Sequence, residues 1–278
     1  MGNKTDIGKF IAVLSICAAL IVLMKLLLPK WHALLNTLYY FTPLIAVSVA
    51  ERSGMLTVLR RYGAGVRKPD LRKSLCYVIV IALALPILNM FCVWFLGNIL
   101  RIGPFEILGI PKNDFMLYGI YIPENPVLRF VSVYLSSVCF ALVAGLTYNM
   151  FFALGSEVAW RGFLNRKLRS GCWMKNIVIG VIWATWWLPV MIFNGYTCSS
   201  IAIAYVSFVL LSFLLDSIFR NMRSLLVTSA VRGVIVSSSC MYFVAEGNSL
   251  LSGLAGMVSL LIIILCMCIY RKFCRMSL

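Results

Sequence analysis

Residues 130–164 read FVSVYLSSVCFALVAGLTYNMFFALGS and then EVAWRGFL. The run from Phe130 to Ser156 holds no Asp, Glu, Lys or Arg. A helix needs about 20 apolar residues to cross the hydrocarbon core of a bilayer. The run therefore reads as a membrane span, and it ends on a carboxylate, Glu157, and a guanidinium, Arg161. Positions four apart share a helix face and can pair. Charged groups at membrane depth are costly and usually functional. Two readings are open for this pair: a helix-end anchor at the start of a basic segment, or part of a site.

Working outward, runs of the same kind are Trp31 to Ala50, Ser74 to Leu100 and Gly247 to Tyr270. Phe10 to Leu28 is a span with Lys25 near its end. The stretch from Asn176 to Leu215 is twice the needed length, and Pro189 with the polar patch Asn194 to Ser200 splits it into two spans. Ser224 to Phe243 is a span with Arg232 inside it. The expectation is an all-α bundle of eight transmembrane helices, one integral domain over residues 1–278, with both termini on the cytoplasmic side. Pro43, Pro86 and Pro189 interrupt spans and read as packing kinks, which membrane helices tolerate when neighbours satisfy the freed carbonyls.

Composition agrees. The chain is 62% apolar and 12% charged, with a mean hydropathy of +0.96; soluble domains are about 25% charged. A net charge of +16 could point to nucleic acid, but the charges follow membrane topology instead. One orientation places 19 of the 25 Lys and Arg on one side and five on the other, with Arg232 in the membrane. That is the positive-inside bias. The basic connection 51–73 reads as solvated charge near anionic lipid headgroups, or as a specific lipid site. Residues 101–127, with four prolines, read as an ordered or surface-lying outer loop. The first span has no small-residue cleavage site and reads as no cleavable signal peptide; myristoylation and prenylation patterns also fail, at Asp6 and Cys274. The ten cysteines contain no Cys-x-x-Cys and read as small apolar fillers. With one histidine, His32, and no thiolate cluster, no metal and no cofactor are expected.

Three segments together resemble a known family. Ser156-Glu157-x-x-Trp160-Arg161-Gly162-Phe163-Leu164 resembles the first motif, Glu-Glu-x-x-x-Arg-Gly-Phe-Leu, of the CAAX protease and bacteriocin-processing family of membrane endopeptidases. Val181 to Pro189 is similar to the second motif, an aromatic ahead of a histidine that is often followed by Leu-Pro. Ser224-Leu225-Leu226, leading to Arg232 and Val236, stands where the third motif, His-x-x-x-Asn, would follow. The likeness covers residues 128–240. It implies a helical membrane bundle in which the first motif glutamate activates water with the second-motif histidine. The third-motif pair would stabilise the oxyanion, and the second glutamate and the arginine would hold the site together. Carried over, the activating glutamate is Ser156, the assisting histidine is Trp187, and the oxyanion pair is Arg232 and Val236. Glu157 and Arg161 are the surviving structural pair.

The substitutions disarm that chemistry. Activating water takes a base within hydrogen-bond reach. A serine hydroxyl is no base, and an indole is only an N–H donor. Ser156 as a nucleophile would need a partner base, and neighbouring Glu157 points about 100° away around a helix. The chain has no His-Glu-x-x-His, no Gly-x-Ser-Gly with histidine and no paired intramembrane aspartate, since Asp216 stands alone. Arg232, roughly 12 Å into its span at helical rise, must pair with Glu157 or Asp216, or else snorkel to the surface. The leading expectation is a catalytically impaired member that acts by binding, as a scaffold, a regulator or a bacteriocin-immunity protein in the plasma membrane of a prokaryote. A working endopeptidase with rearranged catalysis is the second reading. A small-solute transporter using Arg232 as an anion site is the third. The expected partners are membrane lipids, other membrane proteins, or a peptide or prenylated tail, with no nucleic acid.

Overall fold

The computed structural model describes residues 2–64, 70–101, 125–239 and 249–276. Most of the proline-containing connection, part of the basic one and the end of the run expected to close at Phe243 lie outside the described residues. The described elements are all helical. They are α1 (Gly2–Leu27), α2 (His32–Ala50), the short α3 (Met55–Leu59), α4 (Leu71–Trp94), α5 (Pro126–Ala144), α6 (Met150–Glu157), α7 (Asn165–Lys167), α8 (Cys172–Phe193), α9 (Cys198–Met222), α10 (Leu225–Ser239) and α11 (Ser249–Met276). Their starts follow the local chemistry. The side chains of Asp70, Asn125 and Thr197 accept backbone N–H groups at the first turns of α4, α5 and α9, as good N-caps do.

Seven stretches among the described residues are long and apolar enough to cross a membrane: Thr5–Leu27, Pro29–Ala50, Leu71–Ile99, Phe130–Lys167, Cys172–Phe193, Cys198–Met222 and Leu250–Tyr270. Large apolar side chains point outward from them, among them Leu27 at 70%, Val143 at 68% and Ile192 at 61% exposure. Lipid is the solvent that makes such a surface stable, and the chain is an integral, multi-pass membrane protein.

Two differences from the sequence reading bear on the site. The first concerns the eighth span. Leu225–Ser238 is apolar but shorter than the other seven. From Leu225 to Ser238 only Leu226 and Val236 are exposed. This helix packs on α4, α5, α6 and α9, so it is a central post walled by helices. Small residues allow it. A side chain on Gly233 would come within 2.1 Å of the Gly145 carbonyl oxygen, and one on Gly145 would come within 2.8 Å of the Val234 backbone. Small residues bring backbones together where no hydrophobic force separates lipid from helix.

The second difference concerns the span expected to end at Ser156. It continues as helix to Lys167, and π-helical turns at Gly145–Asn149 and Val158–Leu164 join α5, α6 and α7. Glu157 is therefore not a helix-end anchor. Every residue from Val158 to Leu164 is buried, and Glu157 lies ten residues, roughly 15 Å at helical rise, from Lys167. Short π segments inside α-helices recur at functional sites because they re-aim side chains.

Packing explains the three prolines. A proline cannot donate to the preceding turn and pushes its carbonyls aside. Near Pro43, the Thr42 hydroxyl donates to the Tyr39 carbonyl at 2.9 Å. Near Pro86, the Tyr134 hydroxyl donates to the Leu83 carbonyl at 3.2 Å. Near Pro189, the Tyr39 hydroxyl donates to the Trp186 carbonyl, and the Trp186 indole donates to Thr42 at 2.9 Å. The last two bonds lock α2 to α8. The bundle's ends also sort by charge. The basic end is joined by Lys167 to Asp6 at 2.7 Å and by Asn221 to Tyr77 at 2.8 Å. At the opposite end His32 meets the Lys25 carbonyl at 3.0 Å and the Phe193 ring at 5.5 Å.

Candidate functional site

Glu157 stands where α6 passes into the π turn, facing α8, α9 and α10. Its exposure is zero, and those of Arg161 and Arg232 are 2% and 4%. One carboxylate oxygen, Oε2, lies 3.3 Å from Arg161 Nε; the other, Oε1, lies 3.1 Å from Arg232 Nη1. A single carboxylate thus bridges two guanidiniums, one from its own helix and one 75 residues away. Arg232 does not snorkel. Its Nη1 also donates to the Ser156 hydroxyl, which in turn donates to the Ala153 carbonyl at 3.0 Å. Arg161 Nη2 donates to the Ser212 carbonyl at 3.2 Å.

Trp183 completes the cluster. The Arg232 guanidinium carbon lies 4.3 Å from the centre of its ring and that of Arg161 5.1 Å. Trp160 stacks beside it, centroids 5.8 Å apart. A desolvated cation over an indole face gains about 2 kcal/mol, which offsets part of the cost of burying a second arginine. Hydrogen bonding is nonetheless incomplete: Glu157 Oε2, although 3.3 Å from Arg161 Nε, accepts no hydrogen bond from the described residues. Arg161 Nη1 and the indole N–H groups of Trp160 and Trp183 are buried with no acceptor among the described residues.

Asp216 does not pair with Arg232. It holds Arg220 at 3.0 Å, accepts from Asn176 at 2.9 Å and from Asn165 at 3.4 Å, and faces the Cys172 thiol at 3.8 Å. From there it also attracts Arg161. The buried polar system thus has two parts. An outer part around Asp216 is tied to the basic end through Arg220, which is 52% exposed. An inner part around Glu157 is closed.

The structure separates the sequence-selected positions. Ser156, Glu157, Arg161 and Arg232 come together. Trp187 does not join them through its ring contacts: it is partly buried and packs on Tyr39 at 5.6 Å, Tyr40 at 5.4 Å and Trp186 at 5.2 Å. Val236 is 37% exposed on the outer side of α10. Sequence reading passed over Trp183 and Asn176 as members of the site. The available signal was a polar residue in an apolar span seven positions before an aromatic, a spacing that puts both on one helix face. His32 belongs to the opposite end of the bundle. No protein-family model and no curated protein sequence matches the chain.

Chemically, the arrangement holds a carboxylate rather than presenting one. A general base must reach the proton it takes, directly or through one water. Both oxygens of Glu157 are met by cations and closed from solvent. The hydroxyl of Ser156 already donates to a carbonyl and accepts from Arg232.

Proposed function

We propose that this chain is a degenerate relative of the CAAX protease and bacteriocin-processing endopeptidases that has lost hydrolysis and works by binding other membrane proteins, as a scaffold, regulator or immunity protein. One observation carries the reading: the motif carboxylate, Glu157, is fully buried between Arg161 and Arg232. An arginine at the third-motif position turns an oxyanion donor into a counter-ion for Glu157. It can no longer be aimed at developing charge, which oxyanion stabilisation requires. Trp187, at the assisting-histidine position, supplies no base. The transporter alternative would need Arg232 free to take an anion, whereas this guanidinium is engaged by Glu157, Ser156 and Trp183.

The test is peptide release from a broad mixture of membrane-protein tails, prenylated ones included. The full-length protein is used in lipid, with Glu157→Gln and Ser156→Ala beside it. No release above an empty-membrane control is expected. Release by the wild type that a folded Glu157→Gln or Ser156→Ala protein lacks would establish the working-endopeptidase alternative in place of this reading.

A further inference from the structure

At the basic end, well away from Glu157, three spans terminate around one cleft of about 330 Å³ lined by Asp6, Lys9, Ala50, Glu51, Arg52, Arg61 and Lys167. Small-ligand sites start at about this volume. The apolar stretches here begin at Thr5 and end at Ala50 and Lys167, so the cleft lies where hydrocarbon gives way to headgroups.

The lining holds four cations and two carboxylates. Asp6 takes Lys167 at 2.7 Å; Glu51 takes Arg61 at 2.7 Å and the Tyr62 hydroxyl. Burial, followed by that bond to Glu51, pushes the Tyr62 hydroxyl above its ordinary range, so it remains a neutral donor. Lys9 and Arg52 make no ion pair within 4 Å among the described residues; both attract Asp6 through space, whose direct partner is Lys167. The two carboxylates thus directly hold Arg61 and Lys167, and two further cations line the same space without a direct ion pair, so the cleft keeps a net positive charge. Arginine and lysine grouped in this way suit a phosphate, which accepts paired N–H groups from a guanidinium.

The backbone adds a second observation. Arg52 closes α2 in the left-handed region, φ 50°, with Arg52 N–H bonding the Val49 carbonyl at 3.2 Å and Ser53 N–H bonding the Ser48 carbonyl at 2.9 Å. Glycine is the usual residue at that position because it has no Cβ to strain. Arg223 closes α9 with φ 48°, so the conformation itself is helix closure. What distinguishes Arg52 is the cleft its side chain lines.

We infer that this cleft binds a phosphate group, taken from an acidic phospholipid headgroup of the leaflet at the basic end, with Lys9 and Arg52 as its primary cations. The assignment stands whether or not Glu157 performs chemistry. The experiment is thermal unfolding of the full-length protein in neutral detergent at matched ionic strength. The additives are dioctanoyl phosphatidic acid, dioctanoyl phosphatidylcholine, inorganic phosphate and chloride.

Phosphatidic acid is expected to raise the midpoint saturably, and phosphatidylcholine and chloride are not. Affinity should fall about fivefold for each cation removed near the surface. Arg52→Gly should weaken binding without lowering the unliganded midpoint, since glycine fits the backbone. Lys9→Gln with Arg52→Gly should abolish the shift, and Arg223→Gly should leave it intact. A shift of equal size with phosphatidylcholine or chloride, no shift at all, or a full shift in the double variant overturns the site. Inorganic phosphate acting as strongly as the lipid overturns the headgroup as its source.

Discussion

Two carboxylates in this molecule do the same thing in different solvents. Glu157 joins Arg161 and Arg232 in the middle of the bundle; Glu51 joins Arg61 and Tyr62 at its basic end. The distances are similar, 3.1–3.3 Å against 2.7 Å, and the pair with a half-exposed arginine is the shorter. Exposure separates them: Arg161 and Arg232 are almost fully buried, while the Arg61 side chain is 48% exposed. Coulomb attraction at 4 Å is about 1 kcal/mol in water and about 4 kcal/mol at an effective dielectric of 20. Water competes for Arg61 and can replace it, while Tyr62 and the Glu51 side chain, 3% and 8% exposed, stay covered. Nothing replaces Glu157, so the inner cluster holds geometry while the outer one stays open to ligands.

The largest effect that would sharpen this contrast is the loss of the inner carboxylate. Glu157→Gln leaves two guanidiniums buried against a neutral amide, and breaking a buried pair in this way costs about 3–5 kcal/mol. Folded yield and unfolding midpoint in detergent should both fall, and added salt should not restore them. A midpoint within a degree of the wild type would remove the argument that Glu157 holds this core together.

Next in size is Gly233→Ala, whose new methyl would meet the Gly145 carbonyl at 2.1 Å. Over-packing costs about 1–3 kcal/mol, and here it drives α10, with Arg232, away from Glu157. Adding Gly233→Ala to Arg232→Met should cost less than the sum of the two, because the shifted helix no longer carries the paired guanidinium. Strict additivity in a thermal double-mutant cycle would show the helix crossing and the ion cluster to be independent.

Arg232→Met should lower folded yield by less than Glu157→Gln does, because Glu157 and Arg161 remain as a neutral pair. A triple change of Glu157, Arg161 and Arg232 to Met should also be milder than Glu157→Gln alone, since apolar replacement of a whole buried ionic group is often neutral. A triple variant that unfolds more readily than the single one would mean that the cluster stabilises the bundle in its own right. The smallest effect is Arg61→Gln, which removes the 48% exposed partner and leaves Glu51 bonded to Tyr62, worth about 1 kcal/mol or less. Its effect should vanish in high salt, where the Debye length shrinks to about 3 Å. A large, salt-independent loss would mean that the two carboxylates are not different in kind.

Much of this was legible in the residues. Uncharged runs such as 130–156 announce spans because an unsatisfied backbone is excluded from lipid, and the i, i+4 spacing of Glu157 and Arg161 announces a shared face. Arg232 stood out as a charge inside an apolar run, and its two candidate carboxylates could be named. The choice between them could not be made, because Glu157 and Asp216 are both within reach until the helices are packed. Trp183 escaped notice for a related reason. Helical spacing places both Trp183 and Trp187 on faces of α8, but only the contact with α6 and α10 decides which indole lies against the guanidiniums.

Composition and spacing by themselves determined the solvent of this protein, seven of the eight expected spans though not all of their ends, and the local pairing of Glu157 with Arg161. These depend on neighbours within a turn or two and on the free energy of moving side chains from water into lipid. Only the tertiary structure decided that the short α10 is a central post, that Arg232 closes on Glu157 rather than Asp216, and that the ends of three spans frame a basic cleft. Those outcomes depend on how closely helices approach, which is set at contacts such as Gly145 against Gly233 between residues far apart in the chain.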